Sequence, residues 1–161
     1  MTSRHLDYKY WLPVLFWLAV IAFESFSLPS NLTGSWLAQI LAALHIHLSP
    51  EQFAEFHHYL RKTGHFVGYG ILCLLSFRAW FHTISDRSAN QVRHLRFQSA
   101  AFAVGVTLTT AILDEWHQSF DPRRTSSVLD VALDLSGGLL CLLVALFVFR
   151  IWRRSEVEAM S

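Results

Sequence analysis

Ionisable side chains lie at the ends of long apolar stretches in this sequence, where they could bind or process a charged group. The residues concerned are Lys62, His65, Asp114, Glu115, Arg123, Arg124, Asp130 and Asp134. Lysine and arginine can bind phosphate or carboxylate groups, whereas histidine and carboxylates can transfer protons. Ionisable residues at membrane depth are rare, and each one is a functional-site hypothesis. The pattern therefore predicts a polar site at the edge of an apolar protein.

Helical spacing groups these polar residues into three stripes, because residues three and four apart share one face of a helix. The stripes are Lys62, His65 and Tyr69; Asp114, His117 and Gln118; and Asp130 and Asp134. Glu115 lies beside Gln118 on the same helix, and Gly137 and Gly138 continue the third stripe, where they permit close helix contact. A tight turn after Phe120 could place Arg124 over the acidic residues. We expect the three stripes to line one cleft.

The composition indicates a membrane protein. Hydrophobic residues make up 53% of the 161 residues, and charged residues only 16%, against about a quarter in soluble domains. The net charge of +1 argues against a nucleic-acid partner. Cys73 and Cys141 both fall midway along apolar stretches and lack a CxxC motif, which predicts buried apolar residues and no disulfide framework.

Four apolar segments approach the roughly 20 residues that a helix needs to cross a bilayer. They run from Trp11 to about Leu28, from about Gly64 to Phe81, from about Phe97 to Phe120, and from about Val128 to Phe149. We therefore predict an all-α membrane protein with four transmembrane helices, forming a single domain over residues 1–161.

The connection between the first two segments predicts one or two amphipathic helices at the membrane interface. Apolar residues recur there at spacings of three and four: Trp36, Leu37, Ile40, Leu41, Leu44 and Leu48. A second helix start follows, with Ser49 as the N-cap, Pro50 in the first position and Gln52 in the third. This second helix could continue directly into the second transmembrane segment.

The distribution of Lys and Arg predicts the orientation, because cytoplasmic loops carry an excess of these residues. With four spans, nine fall on one side (Arg4, Lys9, Arg78, Arg87, Arg93, Arg96, Arg150, Arg153, Arg154) and four on the other (Arg61, Lys62, Arg123, Arg124). Both termini are then cytoplasmic, in the plasma (inner) membrane of the cell. All three polar stripes fall at the outer face.

An ordered set of motifs resembles the VanZ-like family of small membrane proteins, named after a member linked to teicoplanin resistance. The motifs are Lys62-x-x-His65-Phe66-x-x-Tyr69, Asp114-Glu115-x-x-Gln118-x-Phe120-x-Pro122-x-Arg124, Asp130, and Gly137-Gly138. They cover about residues 60–140. The resemblance implies a membrane site at Lys62, His65, Tyr69, Glu115, Gln118, Arg124 and Asp130, without implying a reaction.

Two positions depart from the pattern that the resemblance implies. Arg123 stands where the family usually has Gly before the motif arginine, and Asp134 stands where it usually has Asn. The second departure adds an acidic residue to the site, so a role carried over from the family is least secure at Asp134.

The residue types favour a site that binds or processes an anionic amphiphile or a lipid-linked cell-envelope molecule, and the resemblance implies a link to glycopeptide resistance. The candidate catalytic residues are His65, Glu115 and Asp130. The candidate substrate-binding residues are Lys62, Tyr69, Asp114, Gln118, Arg124 and Asp134.

Several alternatives to this function stay open. The protein could be an enzyme or a non-catalytic binder, and its charges could instead form a structural salt-bridge network. Transport is a weaker option, because the cytoplasmic half of each span is apolar. His65, Asp114, Glu115 and Asp130 could suit a divalent cation, but no metal-ligand spacing is present and Lys62 and Arg124 would repel one. We predict no metal and no cofactor.

Overall fold

The computed structural model describes residues 8–27, 30–84, 92–120 and 126–159, which form five helices and no strand. The helices are α1 (Tyr8–Ser27), α2 (Ser30–Ala43), α3 (Pro50–Ile84), α4 (Val92–Gln118) and α5 (Val128–Ala159). The prediction of an all-α protein is therefore confirmed.

The start of α3 is a capping box. The Gln52 backbone N–H donates to the Ser49 Oγ at 3.2 Å, and the Ser49 N–H donates to the Gln52 Oε1 at 3.0 Å. The helix then continues without a break for 35 residues, or about 52 Å at ~1.5 Å per residue. A bilayer core is only about 30 Å thick, so the first turns of α3 extend beyond it. The predicted helix start and its continuation into the second apolar segment are both confirmed.

Helix α2 ends earlier than the apolar spacing indicates. His45 has a left-handed φ of 56°, and the Ile46 N–H donates to the Leu41 carbonyl while the His45 N–H donates to the Ala42 carbonyl. These two bonds form a Schellman motif, which terminates the helix. Leu44 and Leu48 therefore lie beyond the helix to which their spacing assigned them. The placement of α2 in the membrane interface stays a prediction.

Glycines bring α3 and α5 into direct backbone contact. A Cβ atom on Gly137 would overlap the carbonyl of Phe66, and one on Gly70 would overlap the Sγ of Cys141. Because residue numbers rise together along this contact, α3 and α5 are parallel. The close helix contact predicted from Gly137 is confirmed. This contact sets the register between the polar ends of α3 and α5.

Helix α4 packs antiparallel against α3. Tyr69 donates to Asp114 near one end of the pair, and Trp80 stacks on Phe102 near the other, with ring centroids 4.3 Å apart. Small buried residues line the helix contacts of this bundle, among them Cys73, Ala79, Ala103 and Ala111. Cys73 and Cys141 are free thiols.

Helix α1 also runs antiparallel to α3. The Trp11 indole N–H donates to the Thr83 hydroxyl at 3.0 Å, and the Trp17 indole N–H donates to the Gly68 carbonyl at 2.8 Å. Further along, Glu24 lies beside His65. Helix α1 therefore lies alongside the apolar part of α3, from Thr83 to His65.

Three of the described helical stretches are long and apolar enough to cross a membrane: Pro50–Ile84, His94–Gln118 and Val128–Arg150. The described part of α1 is not among them, and it contains Lys9 and Glu24. The second, third and fourth predicted membrane segments thus have matching helices. The span predicted for the first segment, which corresponds to α1, stays a prediction.

Candidate functional site

The ends of four helices meet at one end of the bundle. The C-terminal ends of α1 and α4, the N-terminal end of α5 and the middle of α3 come together there. This arrangement follows from the directions of the helices, since α5 is parallel to α3 while α1 and α4 are antiparallel to it. The polar stripes predicted on three helices therefore face one another.

His65 lies between two carboxylates from different helices. Its Nδ1 is 3.5 Å from the Oδ1 of Asp134 on α5, and its Nε2 is 3.7 Å from the Oε2 of Glu24 on α1. The Asp134 side chain is fully buried, whereas that of Glu24 is partly exposed. His65 can thus connect the interior of the bundle with the face that α1 covers.

Tyr69 lies one turn deeper than His65 and is held by Asp114. The Tyr69 hydroxyl donates to the Asp114 Oδ2 at 3.1 Å, and both residues are buried. The other oxygen of Asp114, Oδ1, has no hydrogen-bond partner among the described residues. Tyr69 therefore orients Asp114 and leaves one of its oxygens available inside the bundle.

Glu115 connects the end of α4 to the start of α5. Its Oε2 accepts a hydrogen bond of 2.8 Å from the backbone N–H of Ser127. Ser127 in turn is the N-cap of α5, because its hydroxyl accepts from the N–H of Leu129. This bond gives Glu115 a structural role in addition to any chemical one.

Lys62 and Asp130 form the outermost pair of the site. The Lys62 Nζ is 3.0 Å from the Asp130 Oδ1, and the two side chains are 41% and 24% exposed. A pair with this exposure is worth at most about 1 kcal/mol, so Lys62 can exchange Asp130 for another anion at little cost.

Of the remaining predicted site residues, the structure describes Gln118 but not Arg124. Gln118 is buried at the end of α4, and its side-chain nitrogen has no hydrogen-bond partner in the part of the chain that the structure describes. Arg124 lies outside the described residues. Its predicted position over the acidic cluster stays a prediction.

Among the described residues, acidic groups outnumber basic ones at this end of the bundle. The carboxylates of the site are Glu24, Asp114, Glu115, Asp130 and Asp134, and the nearby basic side chains are Arg61, Lys62 and His65. Lys62 contacts Asp130 rather than the buried acids. Within the described part of the chain, Asp134 has an ion pair only with His65 and Asp114 has none, and buried charge is costly without a partner.

A partly open cavity of about 260 Å³ adjoins the site between α1 and α3. Its apolar wall includes Trp17, Val20 and Ile21. Its polar end includes Glu24, Arg61 and His65, so His65 belongs both to the cavity and to the charged cluster.

The family model VanZ/LLP1 matches residues 10–150. The chain belongs to the VanZ/LLP1 family. The match extends well beyond the motif-bearing part at about 60–140 and includes nearly all of α1. A search of curated proteins and a search of solved structures gave no significant match.

In this VanZ/LLP1 protein, α1 contributes more to the site than its sequence indicates. Trp17, Val20, Ile21 and Glu24 line the cavity, and their spacing of three, one and three places them on one helix face. This spacing is the sequence signal from which a contact between α1 and the site could have been predicted. Glu24 lies near the end of the first apolar segment, and the structure places it beside His65.

Proposed function

We propose that this VanZ/LLP1 membrane protein binds an anionic amphiphile, such as a lipid-linked phosphate of the cell envelope, at the charged end of its helical bundle. The observation that carries the proposal is the cavity between α1 and α3, which is apolar along one wall and ends at His65, Arg61 and Glu24. An amphiphile has the same two-part chemistry, since an apolar chain is joined to a charged headgroup.

The size and position of the cavity support binding of part of a lipid. Ligand pockets usually measure about 300–1,000 Å³, and this cavity of about 260 Å³ lies just below that range, so it accommodates a headgroup with only the first carbons of its chain. The rest of the chain would lie in the bilayer beside α1. The cavity is partly open, as this mode of binding requires.

The basic residues are the natural partners of the headgroup. Arg61 lines the cavity, and Lys62 is 41% exposed and held only by the exchangeable pair with Asp130. Arg124 is proposed as a third cation from the link before α5. Lysine and arginine both bind phosphate, and arginine does so with two parallel hydrogen bonds.

His65, Glu115 and Asp130 remain the candidate acids and bases if the bound molecule is also processed. His65 has the best position, because it contacts the cavity and faces carboxylates on both ring nitrogens. In an enzyme, His65→Ala abolishes turnover while the ligand still binds. In a binder, for example one that keeps a glycopeptide antibiotic from its target, the phenotype follows affinity.

A structural salt-bridge network is the second candidate function of these charges. Three contacts favour it: the Lys62–Asp130 ion pair, the His65–Asp134 ion pair, and the hydrogen bond from the Ser127 N–H to Glu115. A network that served only stability would pair its most buried charges first. Asp134 is fully buried and its Oδ1 lies 3.5 Å from His65, but its Oδ2 has no hydrogen-bond partner within the described ranges, so stability alone does not account for this carboxylate.

The proposal can be tested by filling the cavity. Gly68 lines it and a Cβ there meets nothing within 4 Å, so the side chain of Gly68→Leu enters the cavity without displacing backbone. Gly105→Leu is the matched control, because Gly105 is equally open and lines a groove of about 390 Å³ on α4 that has no charged residue. Native mass spectrometry of the purified protein with a polyprenyl phosphate measures the bound fraction.

We expect Gly68→Leu to weaken lipid binding at least about tenfold, or roughly 1.4 kcal/mol, while Gly105→Leu binds like the wild type. Equal binding by both variants would contradict the proposed cavity. Equal binding of phosphatidylcholine and the polyprenyl phosphate by the wild type would contradict selection of an anionic headgroup.

A further inference from the structure

A buried group of three potential metal ligands lies within the charged end of the bundle. One ligand atom from each of His65, Asp114 and Asp134 lies within 4.8 Å of the others. The three residues come from α3, α4 and α5, so the site is assembled by the fold rather than by a local sequence motif. We propose that these three side chains bind one divalent cation of the Zn²⁺ or Mn²⁺ type.

The two carboxylates have oxygens available for an ion. Asp134 is fully buried, and its Oδ2 has no hydrogen-bond partner among the described side chains and backbone. Asp114 is 6% exposed, and its Oδ1 is likewise without a partner in the described residues. Two buried carboxylates that approach one imidazole are stabilised by a cation between them.

The other atoms of the ligand residues are held as metal ligands usually are. Tyr69 donates to the Asp114 Oδ2 and so directs Oδ1 inward. The His65 Nδ1 faces Asp134, while its Nε2 lies 3.7 Å from Glu24. A carboxylate beside the distal nitrogen of a histidine ligand fixes the ring and increases its basicity, and such outer partners accompany most histidine–metal bonds.

The donor set determines the class of ion. One imidazole and two carboxylates suit Zn²⁺ or Mn²⁺ better than Mg²⁺ or Ca²⁺, which prefer oxygen alone. Zinc ligands lie about 2 Å from the ion, and in a tetrahedral site they are therefore roughly 3.3 Å apart. The separation of 3.5 Å between His65 and Asp134 is already close to that value.

The sequence suggested that the charge of Lys62 would repel a divalent cation, but the structure weakens this objection. The Lys62 Nζ is engaged by Asp130, which is outside the group of three ligands. The proposed cation therefore replaces the expectation of no metal, and Asp134 becomes a ligand where the family usually has asparagine. An ion at this position would also attract a phosphate headgroup, and only this last role rests on the proposed function.

The test measures binding of Zn²⁺ and Mn²⁺ to the full-length protein in lipid nanodiscs without added ligand. We expect one ion per chain by calorimetry, and retention of Zn²⁺ by elemental analysis after purification without chelator. Asp134→Asn keeps the shape of the side chain, removes one charged ligand, and should weaken binding by roughly 100-fold or more. Tyr69→Phe removes an outer partner and should weaken it about tenfold.

Glu55→Gln is the control, because it also removes one carboxylate charge, at an exposed position of α3 outside the group of three ligands, and should leave metal affinity within about threefold, less than the loss of an outer partner. Chelation of the wild type should also lower its thermal unfolding temperature, and added Zn²⁺ should restore it, a result that needs no variant. Absence of saturable binding by the wild type, or equal affinity in Asp134→Asn, would overturn the proposal. Lipid binding that fails while metal binding persists would count against the proposed function alone.

Discussion

His65 is the residue on which the proposed chemistry converges. It contacts the cavity, lies 3.5 Å from the buried Asp134, and reaches Glu24 on a third helix. The spacing of three and four residues predicted that Lys62, His65 and Tyr69 share a face of α3. The partner of each could not be predicted that way, because partner choice depends on the register between helices. That register is set by the glycine contact between Gly137 and Phe66.

Replacing Tyr69 by phenylalanine should lower the free energy of unfolding by about 1–3 kcal/mol. The change removes the donor to Asp114 and leaves a buried carboxylate oxygen without its bond. Thermal unfolding in detergent, with the protein saturated with chelator, measures this effect. Tyr59→Phe is the control, since Tyr59 is 60% exposed and should change stability by less than about 0.5 kcal/mol. An equal effect of the two changes would show that the buried bond is not formed.

The helix ends are the elements that assemble the site, and they differ in how well sequence predicts them. The Ser49–Gln52 capping box was predictable, because both partners lie in a local motif. The end of α2 was not, because a histidine rather than a glycine adopts the left-handed conformation there. The contact of Glu24 on α1 with His65 could not be predicted from local spacing, because Glu24 lies 41 positions from His65 in the sequence and meets it only through helix packing.

We expect Glu115 to contribute to stability, because its side chain links the end of α4 to the start of α5. Glu115→Ala removes the acceptor of the Ser127 N–H and should cost about 1–3 kcal/mol of stability. Glu115→Gln keeps a carbonyl oxygen at the same place and should cost less than about 1 kcal/mol. Denaturation of the two purified variants measures the difference. If Glu115→Gln keeps its stability but loses all cellular activity, Glu115 is a chemical group as well as a structural one.

At the scale of the whole molecule, three basic residues, Lys9, Arg78 and Arg96, lie at the end of the bundle opposite the polar site. Lys9 and Arg78 both lie over the Tyr10 ring, and Arg96 lies over Phe149, far from His65 along α3 and α5. Membrane proteins concentrate such basic residues on the cytoplasmic side. This separation agrees with the prediction that both termini are cytoplasmic.

Cysteine labelling determines the orientation directly. In a variant without Cys73 and Cys141, a cysteine at Ser126 should react with an impermeant maleimide from outside intact cells. A cysteine at His94 should react only after the membrane is opened, and both of these positions are exposed in the structure. The reverse pattern would place the charged site in the cytoplasm and exclude an outer-leaflet ligand. A cysteine at Lys9 tests α1 in the same way and should be protected if α1 spans the membrane.

Photo-crosslinking of a lipid phosphate tests the central claim most directly. A polyprenyl phosphate that carries a diazirine near its headgroup is incubated with the protein in nanodiscs, activated by light, and mapped by peptide mass spectrometry. We expect crosslinks on residues 17–24 of α1 and 61–69 of α3, reduced by Gly68→Leu and unchanged by Gly105→Leu. Crosslinks concentrated on the uncharged groove at residues 101–110 of α4, or spread evenly over the lipid-facing surface, would contradict a binding site at the charged end of the bundle.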